Sequence, residues 1–381
     1  TFFAVMFPIA DLVLVCVVIA TVSMQGFSRR GAIMSIGVIV FTLTDFLYLW
    51  QNINGVYFMG SVLDVGWVIG ILLIAESFWQ PGIDSKAREG INPILISISV
   101  SLSATLLALI AMRPDYFPRF ILIPAIAISA MGLWDDLKGL EPWPRLVAQT
   151  ATGIIVAVIL TATDTMGFAF DSQVLNYAIT VLWIVGVCNS INFFDNHDGG
   201  AAGTVAVITF FLFFISYDRQ QVLVSALAIV TAGATAGFLI WNRHPAKIYM
   251  GDAGSLFLGI IISVLTIRLS PGVVPTYKSL AIPVMLMAIP ILDTTVAVIS
   301  RLYRGISPFQ GGRDHLSHRL MRLGLARKST AITLWALAAT YAALALALYT
   351  WPDTLGYQLM AIGGVAWLVK LVYFLRIPSE G

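Results

Sequence analysis

The stretch MGDAGSLFLGIIISVLTIRL at residues 250–269 decides how this chain is to be read. Its head is polar, with Gly251 and Gly254 on either side of Asp252. An apolar run over 254–269 follows at once, continuous rather than alternating, so it reads as a helix and not as a barrel strand. Glycine lets backbone approach a ligand closely, and free amides at a helix N-terminus favour anions. This is a membrane helix with a reactive-looking end.

Outward from that helix, the remaining chain repeats the pattern. Of 381 residues, 59% are hydrophobic and only 11% charged, with mean hydropathy +0.89. Soluble domains carry about a quarter charged residues, so a water-soluble protein, a disordered chain and a coiled coil are all excluded. A spanning helix needs about 20 apolar residues. Candidates lie at 2–22, 31–50, 56–79, 92–112, 119–133, 147–163, 175–191, 203–217, 221–241, 254–269, 279–301, 330–349 and 355–375. The expected fold class is all-α: a polytopic transmembrane bundle of about thirteen spans, with no soluble domain of ordinary size. The first run has no basic n-region and reads as a span in a truncated chain, not as a signal peptide. Cys16 and Cys188 sit far apart in apolar stretches and make no disulfide framework.

Net charge is only +2, which points to no nucleic-acid surface and leaves sidedness as the charge question. Alternate connectors hold sixteen cations: Arg29, Arg30, Lys86, Arg88, Lys138, Arg145, Arg243, Lys247, Arg301, Arg304, Arg313, Arg319, Arg322, Arg327, Lys328 and Arg376. The opposite set holds five, Arg113, Arg119, Arg219, Arg268 and Lys278, with Lys370 inside the last span. The bias places the N-terminus outside and the C-terminus in the cytoplasm.

On that topology four polar segments share the cytoplasmic side: GLWDDLKGL (132–140), NSINFFDNHDGG (189–200), WNRHPAKIYMGDAGS (241–255) and RGISPFQGGRDHLSHRLMRLG (304–324). One aspartate pair at a helix end would be an ordinary hydrated cap. Asp135, Asp136, Asp195, Asp198 and Asp252 on one face would repel one another without a cation between them. Mg²⁺ suits such a place because it takes oxygen ligands, keeping one or two carboxylates plus substrate phosphates. Lys247, Arg313, Arg319, His315 and His318 offer donors to phosphate oxygens. Taken alone, these residues support metal-assisted phosphoryl transfer to or from a membrane lipid. A transporter or channel is the alternative, motivated by Asp11, Asp45, Asp64 and Glu76 in the first spans; a catalytically inactive, rearranged relative is another.

Together the four segments resemble the polyprenyl-phosphate N-acetylhexosamine-1-phosphate transferases, a glycosyltransferase family 4 type, in the N-acetylglucosamine-1-phosphate branch. The family's aspartate pair is similar to Asp135-Asp136, followed by Arg145 and Gln149. Its asparagine/aspartate segment resembles Asn189, Asn192, Asp195, Asp198 and Gly199, and its NxxPAxxxMGDxGS segment is matched from Asn242 to Ser255. Its histidine loop is similar to Asp314 through Leu320. Departures are QPGIDSKAREG (80–90), which lacks paired glycines, Ser317 in a slot where histidine is common, and His197 with Gly200.

The resemblance implies transfer of an N-acetylhexosamine-1-phosphate, GlcNAc-1-phosphate by expectation, from a UDP-sugar to undecaprenyl phosphate, with release of UMP. It implies Mg²⁺ (Mn²⁺ as substitute) on Asp252, a catalytic set of Asp135, Asp136, Asp252 and His318, and lipid-phosphate handling by the aspartate pair. It assigns substrate binding to Asn189, Asn192, Asp195, Asp198, Asn242, Lys247, Tyr249, Arg313, His315 and Arg319, with Tyr249 stacked on uracil. The expected domains are 1–55, additional N-terminal spans, and 56–378, the transferase membrane domain with its motifs in 119–330. The expected setting is the bacterial cell membrane with a cytoplasmic site, the lipid bilayer and both substrates as partners, no nucleic acid, and a homodimer as an open assembly state.

Overall fold

The computed structural model describes residues 29–53, 55–57, 62–80, 118–308 and 311–379. All regular elements among the described residues are helices. They are α1 (Arg29–Ile53), α2 (Val62–Trp79), α3 (Pro118–Lys138), α4 (Pro142–Ala162), α5 (Gln173–Phe194), α6 (Gly200–Asp218) and α7 (Val222–Asn242). After these come α8 (Gly251–Arg268), α9 (Thr276–Leu286), α10 (Ala288–Tyr303), α11 (Leu316–Arg322), α12 (Arg327–Thr350) and α13 (Gly356–Arg376). Eight of them, α1, α4–α8, α12 and α13, are long and apolar enough to cross a membrane, and the bent pair α9/α10 makes a ninth if counted as one span. The chain is built as a multi-pass membrane protein. The expected spans at 2–22 and 92–112, with Asp11, and the 80–90 segment apart from Gln80, lie outside the described residues.

The expected span over 279–301 is two helices meeting at 72°. Pro290 explains the break, because its ring would collide with the carbonyl of Leu286, four residues earlier, where α9 ends. Elsewhere the boundaries follow local chemistry. Pro142 opens α4, where its missing N–H costs nothing, and Ser172 caps α5 by accepting from the Leu175 amide at 3.3 Å.

Two compact units divide the chain, Thr1–Arg119 and Phe120–Gly381. In the first, α1 and α2 pack on each other, one on either side of the expected boundary at 55/56. Their acids have local partners: Trp67 Nε1 donates to Asp45, Tyr57 donates to Asp64 at 3.0 Å, and Gln80 donates to Glu76 at 2.6 Å. In the second unit α8 is the central helix, buried on nearly every side from Ala253 to Ile267, as a helix apolar all round must be. It packs on α5, which packs in turn on α4 and α10, while α6 joins α7 and α12. The reactive-looking head of α8 is thereby held among the ends of α3, α4 and α5.

Candidate active site

Two helix ends bring the acids together. Asp136, in the last turn of α3, accepts the Asp252 amide at 2.9 Å and the Ala253 amide at 3.1 Å. It therefore caps α8 from another helix, where four amides lack intrahelical partners and the dipole favours negative charge. Close approach is required, and two glycines provide it. A Cβ on Gly132 would stand 2.6 Å from the Asp252 backbone, and one on Gly251, at φ +65°, would stand 2.6 Å from Asp136 Oδ2. Neither position tolerates a side chain.

At the centre, one guanidinium nitrogen of Arg145 lies 2.6 Å from Asp135 Oδ2 and 2.6 Å from Asp252 Oδ2. Asp135 also accepts the Leu140 amide. The second oxygen of Asp252 accepts from Asn192 at 2.8 Å, and the same Asn192 amide donates to Ser255 at 2.9 Å. Asn189 reaches Gln149 at 2.5 Å behind them. Asp195, just past the end of α5, has its carboxyl pushed up to about 7, first by desolvation and then by the negative charges of Asp252 and Asp136. Among the described residues no group of three or more His, Cys, Asp and Glu side chains forms a ready-made metal cage. The donor set still fits a hard divalent cation, because two carboxylates already converge on one positive group and Mg²⁺ draws its remaining oxygens from phosphate and water.

The turn after α5 faces a second cluster. Phe193 packs its ring under the Arg301 guanidinium at 5.3 Å and edge-on to His315 at 6.0 Å, while Asn196 accepts from Ser317. His315 is buried. Its Nδ1 lies 2.7 Å from Asp293, and its Nε2 lies 3.2 Å from an Arg301 N–H, so Nε2 accepts and Nδ1 carries the proton to Asp293. Asp293 also accepts the Leu316 amide at 2.6 Å and so caps α11 from α10. Arg301 grips Asp314 through two nitrogens at 2.9 and 2.8 Å, and Arg304 adds a third contact at 2.7 Å. Burial alone would raise the Asp314 pKa, but hydrogen bonds and charge from Arg301 hold it below the usual carboxylate range. His318 is half-buried and desolvation pushes it down to about 4, so it is a neutral imidazole at physiological pH.

The residues expected in the site thus fall into four places. Asp135, Asp136, Asn189, Asn192 and Asp252 meet at the acidic centre, with Asp195 in electrostatic reach. Asp198 and Asn242 support the backbone around it. Asp198 holds His244 at 2.6 Å and the Ala246 amide at 3.3 Å, and Asn242 bridges the Gly199 amide and the Ile248 carbonyl. Tyr249 is 70% exposed beside Gly251; Arg313 and Lys247 are exposed, with Lys247 over the Trp241 ring at 5.3 Å. Two expected substrate contacts are turned inward instead. His315 is enclosed by Asp293, Arg301 and Phe193, and Arg319, 1% exposed, donates only to protein oxygens. Their polar atoms are consumed by the fold before a ligand arrives.

Sequence reasoning missed Asp293 and counted Arg301 and Arg304 only as side-determining charge. The signal for Asp293 was present: a carboxylate inside the apolar run 279–301, where an unpaired acid is costly.

Comparisons with known proteins bear on this arrangement. Residues 119–270 match the model of glycosyl transferase family 4. The probable undecaprenyl-phosphate N-acetylglucosaminyl 1-phosphate transferase of Bacillus subtilis is 34% identical over 223 residues, 56% of this chain and 61% of that protein. The decaprenyl-phosphate N-acetylglucosaminephosphotransferase of Mycobacterium tuberculosis is 29% identical over 281 residues, 66% of this chain and 70% of that protein. The phospho-N-acetylmuramoyl-pentapeptide-transferase of Streptococcus thermophilus is 29% identical over 163 residues, 39% of this chain and 48% of that protein. The chain thus spans 61% of the length of its Bacillus relative. The matched segment contains the whole acidic centre, from Asp135 through Arg145 and Asn192 to Asp252, and over residues 119–270 this chain is similar to glycosyl transferase family 4.

Proposed function

We propose that the protein is a Mg²⁺-dependent phosphotransferase of the bacterial cell membrane. It moves N-acetylhexosamine-1-phosphate, with GlcNAc-1-phosphate the favoured group, from a UDP-sugar to a polyprenyl phosphate. In the transfer an oxygen of the lipid phosphate bonds to the β-phosphorus of the donor. The bond from that phosphorus to the bridging oxygen breaks, and UMP leaves. The observation that carries this reading is the convergence of Asp135 and Asp252 on one cationic group at the N-terminus of α8. A site of that kind can hold phosphate oxygens in line and screen their charge, which is most of what phosphoryl transfer asks of a protein. The relatives named for polyprenyl-phosphate transfer support the same substrates.

Each group has a part in this scheme. Asp252 and Asp135 would hold Mg²⁺, which when bound would neutralise the diphosphate. Arg145, released from the pair, is placed to take a phosphate oxygen. Asp195, changing charge near neutrality, accepts the proton of a lipid phosphate that arrives protonated. Exposed Tyr249 offers a stacking face to uracil. An apolar cavity of about 390 Å³ between α5 and α10, lined by Trp183, Val187, Ile291 and Val298 and reaching Ser190, suits a prenyl chain. The excess of Lys and Arg on the connectors that carry the site supports a cytoplasmic face.

The test is an in vitro assay with purified protein, undecaprenyl phosphate, Mg²⁺ and a panel of UDP-sugars, following UMP release and the lipid-linked sugar. Product from one sugar, abolished by a chelator and restored by Mg²⁺, is the expected result. Folded protein that gives no product from any sugar would sink the reading.

A further inference from the structure

Arg319 is a charged residue that no step of the proposed transfer uses, yet it is 1% exposed and all three of its guanidinium nitrogens donate to protein oxygens. Nε donates to the Asp314 carbonyl at 2.9 Å, within the histidine loop. Nη1 donates to the Phe374 carbonyl at 2.7 Å and to that of Ile377, and Nη2 donates to Ser300 Oγ at 2.9 Å. Three separate parts of the chain meet on one side chain: the loop before α11, the end of α10 and the end of α13.

Neighbouring contacts run between the same parts. Arg322 donates one nitrogen to the Pro378 carbonyl and another, at 2.8 Å, to the Arg313 carbonyl. Ser300 also bonds Ser379 at 3.1 Å. Phe374 and Ile377 are buried in one apolar cluster with Leu316 and Leu320 of α11. The physical logic is that of a helix C-terminus, where the last carbonyls lack partners and the dipole favours a cation. α13 ends at Arg376, and Arg319 supplies both the donors and the charge. A guanidinium so placed cannot lose these acceptors cheaply, because an unpaired buried cation is among the most costly groups in a protein.

We infer that Arg319 is a positioning residue that latches the histidine loop to the end of α13, so that the turn Phe374–Ser379 sets where Arg313 and His318 stand and thereby sets donor affinity. The acidic centre makes none of these contacts, so the latch acts through Arg313 and His318 of the loop and leaves the aspartates of the centre as they are. The inference rests on the transferase reading for its functional half, and on packing alone for its structural half.

The experiment compares full-length wild type with Ser300→Ala, Arg319→Lys and Arg319→Met in detergent, by hydrogen exchange across 311–322 and 250–260. Equilibrium binding of UDP-N-acetylglucosamine and KM values for both substrates complete the set. Faster exchange at 314–322 in the order Met, Lys, wild type is expected, with 250–260 unchanged. About tenfold weaker donor binding in Arg319→Met should accompany it, largely rescued in Arg319→Lys, with the KM for lipid phosphate unmoved. Should Arg319→Met not fold, Ser300→Ala, which removes one acceptor and the link to Ser379, carries the same expectation at smaller size. Unchanged loop exchange overturns the latch. A loosened loop with donor binding as in wild type overturns its positioning role. Wild type that neither binds nor turns over any UDP-sugar refutes the transferase reading instead, and loop exchange still decides the latch.

Discussion

The acidic centre and the histidine loop are both built from charged residues at helix ends, and they use that charge in opposite ways. At the centre, Arg145 is shared by two carboxylates and both keep some exposure, Asp252 with 29% of its side chain accessible. In the loop, Asp314 accepts from Arg301 and Arg304, Asp293 accepts from His315 and the Leu316 amide, and both aspartates are 1% exposed or less. The acidic centre, proposed to bind phosphate and a cation, leaves oxygen donors within reach of solvent. A region that must hold its shape closes every donor on an acceptor, since a buried polar group costs most when it lacks one. The turn 192–196 stands between the two, giving Asn192 to one and Phe193 and Asn196 to the other.

That contrast makes opposite demands on aspartate variants. Asp252→Asn should lower transfer by roughly 10³-fold while leaving membrane abundance and thermal stability near wild type. Normal turnover in this variant would remove Asp252 from the chemistry. Asp293→Ala should do the reverse: it strands the His315 N–H and the Leu316 amide, at about 1–3 kcal/mol for each buried donor, and should appear first as a lower thermal midpoint in detergent. Stability equal to wild type would mean that the loop is not held as described.

Asp195 gives the contrast a pH signature. Its carboxyl is raised from its ordinary value of 3.8 to about 7, so the folded protein holds this proton more tightly than the unfolded chain. Stability should therefore fall as pH rises through that window, and Asp195→Asn should flatten the slope in thermal midpoints measured from pH 5 to pH 8. If the carboxylate is the working form in the proposed transfer, activity should rise with pH through about 7, and added Mg²⁺ should move that limb lower. The smallest effect belongs to Tyr249, whose 70% exposed ring is its one proposed contribution. Tyr249→Ala should raise donor KM about tenfold and Tyr249→Phe should barely change it, as stacking requires a ring and not a hydroxyl. Equal effects of the two would assign the contribution to the hydroxyl.

Much of the site was legible in sequence because its residues lie in short segments whose spacing survives folding. The head of α8 read as an anion-binding turn from Gly251, Asp252 and Gly254 alone. The break between α9 and α10 was not read, although Pro290 was in plain view, because the apolar run passes through it without interruption. Arg319 was read as a ligand for phosphate because an arginine in a basic loop looks the same whether it faces solvent or a helix end. Which acceptors it meets depends on residues near 374–379, far along the chain.

The sequence by itself determined that this is a helical membrane protein and which polar segments supply its acidic centre. Composition, hydropathy and motif spacing are local properties, and the bilayer allows few other ways to satisfy a backbone in apolar surroundings. Tertiary structure alone decided which charges meet. Arg145 and Asp252 are 107 residues apart and touch because the head of α8 meets the ends of α3, α4 and α5. Asp293 and Arg319 became architecture and Asp252 stayed accessible because burial and hydrogen-bond completion depend on what packs around a side chain, which no local pattern records.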